Sequence, residues 1–292
     1  MLPYDFAREG IHTELNFPMH TLCTMKTGGV ASLAVFPRTA EEFIFTVDTL
    51  RKIGCEYKVV GAMSNTLPPD ERYHGVLVVL KKMRGVTVGF GEMTAAAGES
   101  LASLNRLAVK SLYSLSPELS GIPGTLGGAV RGNAGAYGME LSDILKCAAV
   151  YDADSRAVRT LGKEELHFGY RTSLLKKEPL YLLSATLRLL PTLHAGERIR
   201  NFASLRRASQ PREPSLGSVF LRVDGVSAGA LIDHAGLKGV SVGGAFVSEV
   251  HAGFIVNRGG ATSRDVRALI RLVEERIYSL YGLRLMKEID LM

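Results

Sequence analysis

Gly121-Ile122-Pro123-Gly124-Thr125-Leu126-Gly127-Gly128-Ala129-Val130-Arg131-Gly132-Asn133-Ala134-Gly135-Ala136-Tyr137-Gly138 is the stretch on which the reading of the fold turns. Seven of its eighteen residues are glycine. Such density lets a backbone take positive φ and approach a ligand with no Cβ in the way. Successive backbone N–H groups can then converge on a phosphate, as in an anion-binding nest. The spacing is G-x-x-G-x-x-G-G, not G-x-G-x-x-G, and no Lys-Ser/Thr pair closes it as in a P-loop. Pro123 also sits badly in a Rossmann turn that leads directly into a helix. A different nucleotide-binding architecture is expected.

A second glycine-and-amide turn comes earlier. Tyr57 to Val60 reads as a short strand, and Gly61-Ala62-Met63-Ser64-Asn65 follows it. Alone this is an ordinary strand-to-loop turn. Two such loops in one chain resemble the paired phosphate-binding loops of the FAD domain in flavoproteins of the vanillyl-alcohol-oxidase type.

The resemblance narrows along the chain. In order come Thr24-x-x-x-Gly28-Gly29-x-Ala31, Gly61-x-x-Ser64-Asn65, the 121–138 loop and Tyr170-Arg171-x-Ser173. Pro214-Ser215-x-Gly217-Ser218-Val219-Phe220, Ala228-Gly229, Gly236-Leu237-Lys238-Gly239 and Val247-Ser248-Glu249-x-His251-Ala252 follow. This ordered set, from about residue 20 to 290, is similar to the UDP-N-acetylenolpyruvoylglucosamine reductase family, flavoenzymes that complete UDP-N-acetylmuramate for bacterial cell walls. With no long insertion between Leu180 and Pro214, the chain resembles the shorter, type II branch.

Bulk properties agree with a globular protein. The chain has 292 residues, 46% hydrophobic and 22% charged, more than one core usually serves. No apolar run approaches the length of a membrane span, and Met1 to Gly10 has no apolar stretch of a signal peptide. Three scattered cysteines, Cys23, Cys55 and Cys147, fit reduced thiols in cytoplasm better than a disulfide framework or a zinc site. The net charge of +6 is mild and dispersed, with no tryptophan, unlike the concentrated stripe of a nucleic-acid binder. It suits anionic small molecules, and equally a surface that happens to be basic.

Unevenly interleaved elements favour an α+β class. Thr39-Ala40-Glu41-Glu42 predicts a capping box, with Phe43, Val47 and Leu50 facing inward and Gly54 as the stop. Strands are expected at 57–60, 75–80, 86–90, 93–97, 147–151, 156–160 and 180–190. Ser100 caps a helix burying Leu101, Leu104, Leu107 and Ala108. Thr192 to Gly196 reads as a hinge into a basic helix ending near Ser209. A helix over Ala228–Ala235 and strands near 239–243 and 253–257 follow. A last helix from Thr262 buries Val266, Leu269, Ile270, Val273 and Ile277, and Leu283 to Leu291 reads as a closing strand. The resemblance implies an FAD-binding part over 1–191, in two α+β subdomains with a boundary near 81, and an α+β substrate-binding domain over 192–292.

It further implies that NADPH supplies hydride through non-covalent FAD to the methylene carbon of an enolpyruvyl ether on a UDP-sugar. No His or Cys lies in either loop for covalent attachment. Ser218 matches the family's proton donor, Arg171 its essential arginine and Glu288 its C-terminal glutamate. Read without the resemblance, Ser218 is a turn serine, Arg171 a loop arginine, and Glu288 with Asp290 the solvated face of an edge strand. Gly61, Ala62, Met63, Ser64, Asn65, Gly121, Ile122, Pro123, Gly124, Gly127, Gly128, Asn133, Ala134, Gly135 and Tyr137 are implied cofactor residues. For Asn133 and Tyr137 a purely structural role stands equally open. His251 is isolated from other ligands and reads as structural, not metal-binding; no metal site is expected.

Departures stand out. The family often has lysine where this chain has Leu221, Ala230 and Val250, proline at Val223 and methionine at Gly132. A monomer in the cytoplasm is expected. Two other readings stay open at this stage, a same-superfamily FAD oxidoreductase with another substrate and a non-catalytic flavin or nucleotide binder. The paired loops predict that purified protein is yellow and releases intact FAD on denaturation. A colourless protein that cannot be reconstituted with FAD overturns the fold reading.

Overall fold

The structure, a computed structural model, describes residues 6–292. The reading of Met1 to Gly10 therefore rests partly on residues outside those described. Two compact units are present, and they interleave along the chain. Among the described residues the first takes 6–15, 33–62 and 75–205; the second takes 16–32, 63–74 and 206–292.

The first unit is built on a five-stranded antiparallel sheet. Its order is Ala157–Gly162, Leu145–Asp152, Leu180–Arg188, Glu92–Ala96, Val86–Gly89. Another sheet runs through His12–Pro18, Val30–Phe36, Tyr73–Val79 and Tyr57–Val60, its last pair parallel with Tyr57 opposite Val76. The helix Ala40–Lys52 buries Phe43, Val47 and Leu50, as its apolar spacing predicts. Only half of the expected capping box forms. Thr39 accepts from the Glu42 N–H, while the Glu42 carboxylate accepts from the Arg38 N–H instead.

The expected boundary near 81 falls between the two sheets, after Tyr73–Val79 of one and before Val86–Gly89 of the other. Phe43 packs edge-on against Tyr151 and Tyr181, so the helix before that position and the sheet after it share one core. The two compact units part after Leu205, beyond the expected 191/192. The helix Ala195–Ser209 groups with the first unit as far as Leu205, because Arg198 pairs with Glu118 at 2.6 Å and Phe202 stacks on Tyr137.

The second unit assembles three distant stretches of chain. A sheet of Ser215–Ser218, Phe254–Asn257, Ala245–Val247 and Ser241–Val242 is antiparallel throughout. The strand Ala245–Val247 carries too short an apolar run to be read from sequence. Against this sheet lies the helix Ser263–Tyr281, burying Val266, Leu269, Ile270, Val273 and Ile277. Its Thr262–Asp265 capping box is complete, and Gly282 ends it at φ 68°. The closing strand is shorter than expected. Only Asp290–Leu291 pairs, in parallel with Thr66–Leu67, and Lys287 makes one bridge to Phe220.

Asp70 braces the start of the last helix, its two carboxylate oxygens accepting from the Ser263 and Arg264 N–H groups at 2.7 and 2.8 Å. A carboxylate there satisfies N–H groups that have no partner within the helix and complements its positive end. Asp70→Ala should destabilise the protein by about 1–2 kcal/mol, the usual range for a lost N-terminal cap. Urea unfolding measures it, and a change below about 0.3 kcal/mol would remove Asp70 from this role.

Candidate active site

The two glycine turns meet inside the first unit. A Cβ built on Gly61 would lie 2.2 Å from Thr125 Oγ1, so only glycine fits there. Thr125 cannot simply turn aside, because Oγ1 caps the helix Leu126–Arg131 by accepting from the Gly128 N–H. That helix, absent from the sequence reading, packs on the central strand Leu180–Arg188.

The N–H groups behave differently from the expectation. Those of Leu126 and Gly127 already donate to Glu99 and Ala97 carbonyls at 2.6 and 2.8 Å, so three successive donors at this helix start are occupied by protein. By contrast, the N–H groups of Gly61 and Ala62, and of Gly124 and Thr125, have no acceptor among the described residues. Two pairs of donors thus stand where the loops touch. Nor is the glycine density mainly a matter of positive φ, which in this stretch only Gly124 and Gly138 adopt among the glycines. Two of the others serve close packing, Gly127 against Ala97 and Gly135 against Glu140, Arg171 and the Met139 carbonyl.

Arg171 sits at the tip of a tight turn closed by mutual Gly169 and Thr172 backbone bonds. Its φ is +56°, a strained value for a side-chain-bearing residue. The guanidinium stacks on the Tyr170 ring at 4.9 Å and donates to the Gly135 carbonyl at 3.0 Å and the Asn133 carbonyl at 3.5 Å. Glu140 lies 3.5 Å away as a counter-charge. Asn133 is fully buried at φ +42°, and its side chain donates to Glu140 and Gly169 and accepts from the Ser142 N–H. Three of its four hydrogen-bonding positions are thereby used within the fold. Tyr137 keeps its ring outward against Phe202 at 5.1 Å.

Ser218 and Glu288 lie in the second unit. Ser218 ends its strand after Gly217 at φ +81°, opposite Phe254, with Oγ only loosely bonded to the Phe220 carbonyl at 3.4 Å. The Glu288 N–H donates to the Val219 carbonyl at 2.8 Å, so the serine and the glutamate come from adjoining backbone segments. Asn65 Nδ2 donates to the Glu288 carbonyl at 3.0 Å, which holds the first turn's last residue against the same segment. Met63, Ser64 and Asn65 thus belong to the second unit, and Gly61 and Ala62 to the first.

His251 Nδ1 accepts from the Gly253 N–H at 3.1 Å, leaving the hydrogen on Nε2 of the neutral ring. Burial holds its pKa below the ordinary histidine value. Among the described residues there is no group of three His, Cys, Asp or Glu that could hold a metal ion, and no helix long and apolar enough to cross a membrane. Ala230 and Val250 are exposed, and the nearby cation Lys238 is paired with Asp233 at 2.5 Å.

Two glycine turns in contact, with unpartnered N–H groups on both, fit the diphosphate of FAD. The model of the FAD binding domain matches residues 31–161. The fold is also that of a solved berberine bridge enzyme variant, at TM-score 0.51 and 16% identity over 65% of this chain and 43% of that one. The chain is thus an FAD-binding flavoprotein of the vanillyl-alcohol-oxidase-like, α+β class.

The C-terminal domain model of UDP-N-acetylenolpyruvoylglucosamine reductase matches residues 210–292. The reductase of Caldicellulosiruptor saccharolyticus is 38% identical over 281 residues, covering 94% of this chain and 89% of its own. That of Latilactobacillus sakei is 37% identical, covering 97% and 94%. The crystal structure of the Thermus caldophilus reductase (MurB) superimposes at TM-score 0.81, with 31% identity over 96% of this chain and 98% of that one. The chain belongs to the UDP-N-acetylenolpyruvoylglucosamine reductase family.

Gly61 and Gly128 separate packing from cofactor contact. Gly61→Ala should lose both stability and FAD. Gly128 is exposed, and a Cβ there would meet only Thr125 Oγ1 at 3.8 Å, so Gly128→Ala should leave the melting temperature of the FAD-free protein unchanged or higher. If Gly128 lies against FAD, that variant should still bind the cofactor at least about tenfold more weakly, a loss near 1.4 kcal/mol. Full FAD affinity would take Gly128 out of the cofactor set.

Proposed function

We propose that this chain reduces UDP-N-acetylglucosamine enolpyruvate to UDP-N-acetylmuramate with NADPH as reductant, working as a monomer in the cytoplasm. The observation that carries the assignment of roles is the Glu288 N–H to Val219 carbonyl bond, which joins the serine and glutamate segments in one backbone pair. Three free cysteines are consistent with a reducing compartment. FAD, held by Gly61, Ala62, Gly124 and Thr125 and the residues around them, supplies when bound the relay of hydride from NADPH to the methylene carbon of the enol ether.

The rest of the chemistry falls to side chains. As hydride arrives, negative charge spreads onto the substrate carboxylate, and a permanently charged guanidinium complements it. Arg171 fills that role, its orientation set by the two loop carbonyls and Tyr170. The adjacent carbon must then receive a proton. An unassisted serine is a weak acid, yet transfer to an enolate carbon runs strongly downhill. Ser218 Oγ, half-buried and loosely bonded, can give that proton. Glu288 is proposed to lie beside the substrate carboxylate, on the segment that Asn65 holds.

Stopped-flow reduction and reoxidation test this. Ser218→Ala should leave flavin reduction by NADPH nearly intact and slow reoxidation by the enolpyruvyl substrate about 10²–10⁴-fold, the usual span for a lost general acid. With deuterium-labelled NADPH, recovered substrate should carry label before product accumulates. Arg171→Ala should give neither product nor labelled substrate, since the enolate is not reached. Near-normal turnover in Ser218→Ala would hand the proton to water or Glu288.

A further inference from the structure

Glu140 lies outside every role assigned so far, yet it closes a ring of interactions around Arg171. Its Oε1 is 3.5 Å from the guanidinium, and its Oε2 accepts from Asn133 Nδ2 at 2.8 Å. Asn133 Nδ2 also donates to the carbonyl of Gly169, the residue that opens the Arg171 turn. Arg171 in turn donates to the carbonyls of Asn133 and Gly135. The path Glu140–Asn133–Gly169–Arg171–Glu140 is therefore continuous.

The ring is tight as well as closed. A Cβ on Gly135 would come within 3.0 Å of Glu140 Cγ, Arg171 Nη1 and the Met139 carbonyl alike, so Glu140 and Arg171 both press on the bare backbone of that glycine. Glu140 is itself anchored, since its N–H donates to Asp143 Oδ2 in a reciprocal capping box over Leu141–Ile144. Its side chain starts from fixed backbone. Arg171 and Asn133 both hold positive φ, a conformation that persists only where neighbours over-determine it.

We infer that Glu140 is a positioning residue for the reductase reaction, holding the Arg171 guanidinium against the glycine loop so that its charge is directed at the substrate carboxylate. The inference rests on the reductase reading for the identity of that carboxylate. The anchoring itself rests only on the contacts above.

This arrangement has a kinetic signature that simple structural support lacks. A carboxylate beside Arg171 offsets part of the charge that an incoming carboxylate would feel. Removing the Glu140 charge should therefore leave ground-state binding unchanged or tighter. Turnover should fall, because the guanidinium is no longer held where charge develops in the transition state. Glu140→Gln keeps an acceptor for Asn133 and deletes only the charge; Glu140→Ala deletes both.

The test combines half-reactions with a chemical probe of Arg171. In Glu140→Gln, FAD content, melting temperature and flavin reduction by NADPH should match the parent. The maximal rate of reoxidation by the enolpyruvyl sugar should fall about tenfold, with its half-saturating concentration equal or lower. Glu140→Ala should fall further. Phenylglyoxal should modify Arg171, mapped by peptide mass spectrometry, at least about fivefold faster in Glu140→Gln, since a guanidinium no longer held against the glycine loop by the Glu140 carboxylate is more open to the reagent. Unchanged reoxidation together with unchanged modification overturns the inference. So does loss of FAD and of both half-reactions in parallel, which is what a fold-supporting residue would give. If the parent protein fails to reduce the enolpyruvyl sugar while the modification rate still responds, the reductase reading falls and the anchoring of Arg171 by Glu140 stands.

Discussion

No side chain can stand at residue 61, and much of the first unit is arranged around that exclusion. The contact brings one turn onto Thr125, whose hydroxyl caps the short helix that follows. The helix in turn rests on the central strand of the five-stranded sheet, so the cradle is tied to the most rigid part of the unit. A larger residue at 61 would have to push against a side chain that is both buried and bonded. The N–H groups left unused at Gly61, Ala62, Gly124 and Thr125 are a consequence of this packing. Buried or half-buried donors without acceptors are destabilising, commonly by about 1–3 kcal/mol each, unless something else fills them. Their alignment on two touching turns makes a diphosphate the natural occupant.

The Arg171 side of the unit shows a second economy. Asn133, Tyr137 and Arg171 hold left-handed backbone, each at roughly 1–2 kcal/mol against the right-handed alternative. Buried Asn133 makes this tolerable. Its amide ties the glycine loop, the Arg171 turn and Glu140 together, and its oxygen receives the N–H of Ser142. An arginine confined in this way loses little further freedom on meeting a carboxylate, which makes a rigid fork a better stabiliser of developing charge than a mobile one.

The second unit solves a different problem, that of joining stretches far apart in sequence. Polar side chains do much of the joining. Asn257 donates to the Met25 carbonyl, Thr24 to the Ser215 carbonyl, Asn65 to the Glu288 carbonyl, and Asp70 accepts from the last helix. Each bond satisfies a backbone group that burial would otherwise leave unpaired. The same bonds set the segments bearing Ser218 and Glu288 in register. A proposed proton donor and its neighbouring carboxylate thus inherit their placement from bonds made for folding.

What the sequence determined by itself was local. Glycine density in two loops, caps at Thr39, Ser100 and Thr262, and the 3.6-residue apolar stripe from Val266 to Ile277 were legible, because each is set by neighbours within one or two turns. Arg171, Ser218 and Glu288 stood out only through the resemblance of their surrounding motifs to the reductase family, since by local pattern alone each is an ordinary loop or strand residue. The helix inside the glycine loop was hidden by its own glycines, which argue against helix until Thr125 and the carbonyls of Ala97 and Glu99 receive its first N–H groups. The closing strand was over-read, because alternation cannot show that only two residues find a partner. Only the tertiary structure decided how the chain divides. Phe43 must reach Tyr151 and Tyr181, and Asn65 must reach Glu288, so the units interleave instead of following one another. Contacts between residues far apart in sequence leave no periodic trace in the chain, and Glu140 beside Arg171 is one that only folding could place.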